Sequence, residues 1–225
     1  MMPRLVLFDI DGTLIAPKGG GRRSLQRAFD DLYGRPDLVD GVRFAGRMDP
    51  QIVSDALIRA GLDDAAAPEV LLRYVRHLED EMRARPSEIL PGVREVLDGL
   101  AEREDVTVGL VTGNVREGAR LKLKAAGILD DFQVGAFGDE AATRGELVTL
   151  ARERARRGLG RVFRDEHVFL VGDTENDVKA AHEAGAVSVA VATGDHSTEV
   201  LARFGPHHLF ASLVPAFSFL RVVLR

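Results

Sequence analysis

Aspartates at two distant places in the sequence have the types and spacing of a site for a metal ion and a phosphate. Asp9 and Asp11 stand in the segment Asp-Ile-Asp-Gly-Thr, and Asp173 and Asp177 stand in Gly-Asp-Thr-Glu-Asn-Asp. If the fold brings Asp9, Asp11 and Asp173 together, the three carboxylates repel one another unless a cation lies between them. Because only oxygen ligands are on offer, a hard cation such as Mg²⁺ is favoured over zinc.

A third polar segment supplies groups that suit the oxygens of a phosphate. Thr112, Gly113 and Asn114 follow an apolar run at residues 106–111. The threonine hydroxyl, the two following backbone amides and the beginning of a helix can all bind phosphate oxygens. Phosphoryl transfer needs such donors and a cationic side chain, because negative charge spreads over the equatorial oxygens. The three segments together predict a centre for phosphoryl transfer.

Each segment taken alone also has a purely structural explanation. Asp-Gly is a common turn dipeptide, and Asp, Thr and Asn are frequent helix caps. Three such segments in this order, each directly after an apolar run, favour a shared site over three unrelated turns.

The elements that must position these residues alternate between strands and helices. Apolar runs typical of strands that are buried on both faces lie at residues 4–8, 106–111, 168–171 and 187–191, with a weaker one at 132–137. Helical patterns lie at residues 93–101, 117–126, 147–155 and 177–184. This alternation predicts the α/β class, with a Rossmann-like parallel sheet covered by helices on both faces. Ligands bind beyond the carboxyl ends of strands in such sheets, which is where the polar segments lie.

A helical segment at residues 24–82, which has no strand candidate, interrupts the alternation. Helical periodicity appears there at residues 25–32, 52–60 and 70–82. Three glycines at residues 19–21 precede it and Pro86 follows it, and these residue types suit a hinge and a stiff linker. We expect residues 18–86 to form an all-helical insert in an α/β core domain of residues 1–17 and 87–225. Alternatively, these helices simply pack on the sheet.

Composition and charge exclude several classes of protein. The net charge of -5 gives no general attraction for nucleic acid or for an anionic membrane. The absence of cysteine excludes disulfides, thiolate chemistry and cysteine-bound metals. No export signal or membrane span is recognised, which predicts a cytoplasmic protein. Residues 213–224 predict a terminal core helix or a patch for self-association, so either a monomer or a homodimer is expected.

The polar segments resemble the motifs of the haloacid dehalogenase superfamily. The run Asp-Ile-Asp-Gly-Thr-Leu from Asp9 matches the first motif, Thr112 occupies the Ser or Thr position of the second, and residues 172–177 match the fourth. The resemblance covers nearly the whole chain, and the helical insert is similar to the small cap domain of the family. It implies a Mg²⁺-dependent phosphatase of a small phosphorylated metabolite, similar to phosphoglycolate phosphatases.

The resemblance also implies a role for each aspartate. Asp9 would be the nucleophile that becomes an aspartyl-phosphate, and Asp11 would be the general acid and then the base that activates water. Asp9, the backbone carbonyl of Asp11 and Asp173 would hold Mg²⁺. Asp177 would orient the water shell of the metal or the cationic residue.

The third motif of the family is usually a lysine, and this chain has none between Lys124 and Lys179. Arg144, at the expected beginning of a helix, is the predicted phosphate clamp, since arginine binds phosphate oxygens well. Lys122 and Lys124 are the rival candidates. Their place on the helix after the second motif indicates surface charges instead.

Other activities of the superfamily differ in the residues that they need. A dehalogenase typically lacks the second aspartate, so Asp11 argues against that activity. A phosphonate hydrolase would need a Schiff-base lysine in the cap, where Lys18, at its edge, is a poor candidate. A hexose-phosphate mutase uses the same core and stays an alternative. A catalytically inactive binding or regulatory homologue would tolerate the loss of Asp9 or Asp173, and both are present.

Substrate choice is expected to depend on the loop Phe-Ala-Gly-Arg-Met-Asp-Pro at residues 44–50, which resembles the cap loop that faces the active site in relatives. Arg47 could recognise a substrate carboxylate, as would suit phosphoglycolate. Alternatively, the loop only begins a helix, with Asp49 as its N-cap and Pro50 at the first helical position.

Overall fold

A parallel sheet of six strands forms the centre of the part of the chain that the computed structural model describes, residues 2–16 and 18–225. In chain order the strands are β1 (Arg4–Phe8), β2 (Val106–Val111), β3 (Val134–Ala136), β4 (Val168–Gly172), β5 (Val187–Val191) and β6 (His208–Phe210). Their order in space is β3-β2-β1-β4-β5-β6, and all neighbouring pairs are parallel.

The three strands that precede the polar segments are neighbours in this sheet. β1 lies between β2 and β4, and Phe8 is in register with both Leu110 and Val171. All three strands are buried along their whole length, which is why they read as continuous apolar runs. The residues that follow them therefore emerge side by side at one edge of the sheet.

Helices cover both faces of the sheet. The α-helices are α1 (Gly20–Tyr33), α2 (Asp49–Arg59), α3 (Ala67–Ala84), α4 (Val93–Ala101), α5 (Arg116–Ala125), α6 (Arg144–Leu159), α7 (Glu175–Glu183), α8 (Thr198–Ala202) and α9 (Ala216–Val223). Alternate residues of β1 point to opposite faces, so Val6 and Phe8 join one apolar core and Leu5 and Leu7 join another. The first core includes residues of α4, α5 and α9, and the second includes residues of α6 and α7. The predicted α/β class with a covered parallel sheet is confirmed.

A third apolar core belongs to α1, α2 and α3. Each of the three helices contributes buried side chains to it, for example Phe29, Leu57 and Leu78. Leu121 of α5 also packs in this core. The predicted insert of residues 18–86 has this core of its own, and we keep the division into a cap and a core domain as a proposal. The predicted boundary after Pro17 falls on a residue outside the described ranges.

The carboxyl-terminal segment forms α9, which packs on the sheet. Phe219 is fully buried there, whereas Phe217 is 65% exposed. A terminal core helix is thus present in the predicted segment. The short elements α8 and β6 are not among the sequence predictions. In the described part of the chain, none of the helices combines the length and the apolar character that a membrane crossing requires.

Candidate active site

The loop after β1 turns sharply and brings its aspartates to the end of the sheet. The amide of Asp9 donates to the carbonyl of Val171, which continues the pairing of β1 with β4. Gly12 has a φ of 83°, in the left-handed region, and a Cβ there would collide with Oδ2 of Asp173. Thr13 Oγ1 donates to Asp173 Oδ1 over 3.1 Å. Gly12 leaves space for Asp173 and Thr13 binds it, so Asp173 lies against the first motif.

Asp9, Asp173 and Asp177 form a group that we call the acidic cluster. One carboxylate oxygen of each lies within 4.8 Å of those of the others, and all three residues are buried. Burial, followed by the charges of Asp177 and Asp9, raises the pKa of Asp173 to about 9. Burial also raises the pKa of Asp9 to about 6, although the charge of Arg144 opposes this. A divalent cation would relieve this repulsion, and a set of carboxylate oxygens fits Mg²⁺.

Arg144 lies against the acidic cluster and supplies its cation. It is the first residue of α6, whose N-terminus is fixed by a capping box between Thr143 and Glu146. Its Nη2 is 2.6 Å from Asp9 Oδ1 and 2.7 Å from Asp177 Oδ1. Burial disfavours the charge of Arg144, but the two carboxylates outweigh burial and raise its pKa. Its Nε is buried and has no hydrogen-bond partner within residues 2–16 and 18–225, so this donor can serve a phosphate.

Asp177 has a second task besides its pairing with Arg144. Its Oδ2 accepts hydrogen bonds from the amide of Thr174, over 3.0 Å, and from Thr174 Oγ1, over 2.6 Å, which caps α7. The capping fixes the carboxylate, so Oδ1 is directed toward the guanidinium. This position suits the predicted orienting role, which stays a proposal.

The second motif lies beside the loop of the first. Asn114 Nδ2 donates to Thr112 Oγ1 over 2.9 Å and to Asp11 Oδ2 over 2.8 Å. Gly113 is needed for a close approach, because a Cβ there would collide with the carbonyl oxygen of Arg47. The loop that carries Arg47 therefore packs directly on the second motif.

Lys122, a rival candidate for the phosphate clamp that we expected to be a surface charge, lies inside the site. It projects from α5, its side chain is only 8% exposed, and its Nζ lies 2.6 Å from Asp11 Oδ2 and 2.6 Å from Asn114 Oδ1. The prediction of a surface charge is wrong for Lys122 and agrees with the exposed position of Lys124. The reason is helical periodicity, since Lys122 shares the buried face with Ala119, three residues earlier. We call Asp11, Asn114 and Lys122 the lysine network.

The carboxylate of Asp11 behaves differently from those of the acidic cluster. Burial alone would raise the pKa of Asp11, but the charge of Lys122 and hydrogen bonds from Lys122 and Asn114 lower it. Burial lowers the pKa of Lys122, whereas the charges of Asp11 and Asp49 raise it. The carboxylates have the larger effect, so the pKa of Lys122 is raised. These contacts involve only the side chain of Asp11. The predicted metal contact through its backbone carbonyl stays a proposal.

The helix start at Asp49 differs from the prediction. The N-cap of α2 is Met48, Asp49 is its first residue and Pro50 its second. Asp49 Oδ2 instead accepts the amide hydrogen of Val115, over 2.9 Å, at the N-terminus of α5. The local capping rule fails here because the carboxylate serves a different helix. Burial raises the pKa of Asp49 to about 6, although the charge of Lys122 opposes this.

Arg47, the predicted substrate-binding residue, already has a partner. Its Nη1 lies 2.5 Å from Oδ2 of Asp55, on α2. Two further contacts hold the same loop over the sheet domain: Arg43 Nη2 is 2.5 Å from Glu175 Oε1, and Asn176 Nδ2 donates to Gly46 O over 2.8 Å. The loop is thus fixed to α7 as well as to the second motif.

One cavity of about 490 Å³ lies between the carboxyl end of the sheet and helices α1 to α3. All of the predicted site residues except Asp177 line it, namely Asp9, Asp11, Arg47, Thr112, Gly113, Asn114, Arg144 and Asp173. Lys122 also contributes to its wall. The residues predicted from distant segments are therefore brought together at one site.

Comparison with known proteins decides the family. The model of the haloacid dehalogenase-like hydrolase family matches residues 3–185. The chain belongs to this family. The predicted superfamily is confirmed, and the chain is an enzyme of the haloacid dehalogenase-like hydrolases.

Curated relatives of this hydrolase cover most of its length. A phosphoglycolate phosphatase of Rhodospirillum rubrum is 30% identical over 93% of this chain and 87% of its own. A 5'-nucleotidase of Pseudomonas aeruginosa is 28% identical over 92% of this chain and 91% of its own. The predicted phosphatase class agrees with both names.

The fold of this hydrolase is also that of solved structures. A hydrolase from Pseudomonas syringae superposes with a TM-score of 0.73 at 18% identity, over 97% of this chain and 98% of its own. At this identity the similarity concerns the fold alone.

Proposed function

We propose that the protein is a Mg²⁺-dependent phosphomonoester hydrolase that works through an aspartyl-phosphate on Asp9. The observation that carries this proposal is the acidic cluster with Arg144 on it, at the wall of a cavity that Thr112 also lines. An excess of carboxylates with one buried guanidinium suits a divalent cation and a phosphate together.

Asp9 is the proposed nucleophile. A carboxylate oxygen of Asp9 attacks phosphorus, and the bond between phosphorus and the alcohol oxygen breaks. In its protonated form, which the complex with substrate must supply against the effect of Lys122, Asp11 gives its proton to the departing oxygen. It then takes a proton from the water that attacks the aspartyl-phosphate, so that inorganic phosphate leaves and Asp9 is restored.

The metal and the donors around the phosphate have separate tasks. Asp9, Asp173 and the backbone carbonyl of Asp11 would hold Mg²⁺, which neutralises negative charge on the phosphoryl oxygens. Thr112 Oγ1, the amides of Gly113 and Asn114 and the guanidinium of Arg144 would bind the remaining oxygens. Asp177 keeps Arg144 in place through the contact of 2.7 Å.

The proposed substrate is a small phosphorylated metabolite, with phosphoglycolate as the first to be assayed. The name of the Rhodospirillum rubrum relative supports this choice. Arg47 is the proposed partner of a substrate carboxylate, and it would have to share its guanidinium with Asp55, whose side chain is 47% exposed. The cavity of about 490 Å³ also has room for larger alcohols.

Phosphate release by the purified protein from a panel of phosphorylated metabolites and from p-nitrophenyl phosphate tests the proposal. We expect turnover with Mg²⁺, none with a chelator, and none for Asp9→Asn. Thermal unfolding of Asp9→Asn serves as the control for folding. Turnover by a folded Asp9→Asn protein, or turnover that survives chelation, contradicts the proposal.

A further inference from the structure

We propose that Lys122 is a positioning residue that fixes the carboxylate of Asp11, so that Asp11 Oδ1 is the atom that exchanges the proton with the leaving group and with water. This inference rests on the proposed function, because it concerns the acid and base of that reaction. It assigns a role to a lysine outside the motifs by which the family was recognised.

The two oxygens of Asp11 have different surroundings. Oδ2 receives two donors, Lys122 Nζ at 2.6 Å and Asn114 Nδ2 at 2.8 Å. Among residues 2–16 and 18–225, no hydrogen bond reaches Oδ1. The side chain of Asp11 is 36% exposed and lines the cavity. An oxygen that already accepts two hydrogen bonds is poorly placed to take or give a further proton, so the exchange is left to Oδ1.

The donors on Oδ2 are themselves held in place. Lys122 Nζ also donates to Asn114 Oδ1 over 2.6 Å, and Asn114 Nδ2 also donates to Thr112 Oγ1 over 2.9 Å. On α5, Leu121 packs in the core of the helical insert and Leu123 packs in the core of the sheet domain. The turn of α5 that carries Lys122 is therefore held on both sides, as precise positioning of a reacting group requires.

A purely structural role would have a different signature. Asp11 and Asp49 both act on the charge of Lys122, and Tyr74 lines the cavity beside them. If Lys122 only balanced buried charge, its loss would weaken every reaction of the site to the same extent. If it positions Asp11, the loss falls on steps that need a proton.

The leaving group separates these two possibilities. An alkoxide must receive a proton from Asp11 as the P–O bond breaks, whereas p-nitrophenolate leaves as a stable anion without one. General acid catalysis typically contributes about 10²- to 10⁴-fold, so partial loss of positioning costs an alkyl phosphate roughly 10- to 100-fold. The same loss has little effect on release of p-nitrophenolate in the first turnover.

The test measures first-turnover rates of Lys122→Met with two substrates, p-nitrophenyl phosphate and the best alkyl phosphate of the panel. Lys124→Met is the matched control, because Lys124 is exposed on the same helix. We expect Lys122→Met to release p-nitrophenolate within about threefold of wild type and to lose roughly 10- to 100-fold with the alkyl phosphate. We expect the control to match wild type with both. Equal losses with both substrates, or no loss, overturn the inference.

A second measurement compares the rates of Asp11→Asn and of the double variant Asp11→Asn, Lys122→Met. In the double variant the lysine and its charged partner are both replaced. We expect Asp11→Asn and the double variant to hydrolyse the alkyl phosphate at rates within about twofold, since residues that act through one another are not additive. A further tenfold loss in the double variant overturns the inference, even if Lys122→Met alone does not fold. Turnover of p-nitrophenyl phosphate that is present in wild type and lost in Asp9→Asn tests the proposed function separately. If wild type shows no such turnover, the proposed function and the inference about Lys122 are both overturned.

Discussion

Two groups of charged side chains lie at the carboxyl end of the sheet, and they differ in charge balance. In the acidic cluster, three carboxylates share one guanidinium, and the pKa values of Asp9 and Asp173 are raised. In the lysine network, one carboxylate faces one ammonium, and the pKa of Asp11 is lowered. The unbalanced group suits a divalent cation, whereas the balanced group has its own cation, which agrees with the proposed positioning role.

The largest expected effect comes from removing the cation of the acidic cluster. Arg144→Met should lower kcat/KM by about 10²- to 10³-fold, because a donor aimed at the developing charge is lost. Arg144→Lys should recover part of this loss, since it restores a charge without the fork of donors. Steady-state kinetics with p-nitrophenyl phosphate measure both. Loss of less than about threefold in Arg144→Met contradicts the clamp.

In the lysine network, removal of the cation should cost stability. Lys122→Met leaves the carboxylate of Asp11, which is 36% exposed, without its charged partner, and the loss of hydrogen bonds to such a group costs roughly 1–3 kcal/mol of unfolding free energy. Denaturant unfolding without metal measures this difference. Lys124→Met should stay within about 0.5 kcal/mol of wild type, as is usual for exposed positions. Equal stability of the two variants would show that Lys122 does not stabilise the carboxylate of Asp11.

In the acidic cluster, removal of an anion should cost no stability in the absence of metal. Asp173→Asn removes a carboxyl group whose charged form is disfavoured, as its raised pKa of about 9 shows, and it keeps an acceptor for Thr13 Oγ1, so with a chelator it should be at least as stable as wild type. Mg²⁺ at a hundred times its dissociation constant should stabilise wild type by about 2.7 kcal/mol and Asp173→Asn far less. Thermal unfolding with and without Mg²⁺ reads out both effects. An unchanged response of the variant to Mg²⁺ contradicts its role as a ligand.

The smallest effect is expected at the loop that faces both groups. Arg47→Ala should raise KM for phosphoglycolate by about tenfold, the equivalent of one charge-assisted hydrogen bond, and should spare p-nitrophenyl phosphate. Asp55→Asn should act in the opposite direction, because it releases the guanidinium from its contact of 2.5 Å. Steady-state kinetics with the two substrates distinguish these changes. Equal effects on both substrates would remove Arg47 from carboxylate recognition.

The sequence predicts the sheet well because buried parallel strands have an unambiguous pattern. The ranges predicted for β1, β2 and β5 are those observed, and the weak run at 132–137 contains the three residues of β3. The short elements β6 and α8 lack such runs. The helix predicted at 147–155 extends over Arg144–Leu159, since the capping box at its N-terminus adds a turn that apolar periodicity does not mark.

The candidate site is predictable to the extent that its residues directly follow strands. Asp9, Thr112 and Asp173 come together because β2, β1 and β4 are adjacent. Lys122 could not be assigned in the same way, because its partner Asp11 lies 111 positions away and only tertiary structure joins them. A local signal does exist in Ala119, which marks the buried face of α5.

Detection of the phosphorylated enzyme tests the nucleophile most directly. Wild type and Asp11→Asn would be quenched with acid during turnover of p-nitrophenyl phosphate with Mg²⁺, and the peptide that contains Asp9 analysed by mass spectrometry. We expect a phosphoryl group on Asp9, more of it in Asp11→Asn because the base for its hydrolysis is lost, and none in Asp9→Asn. A phosphoryl group on another residue, or continued turnover by Asp9→Asn, contradicts the assignment.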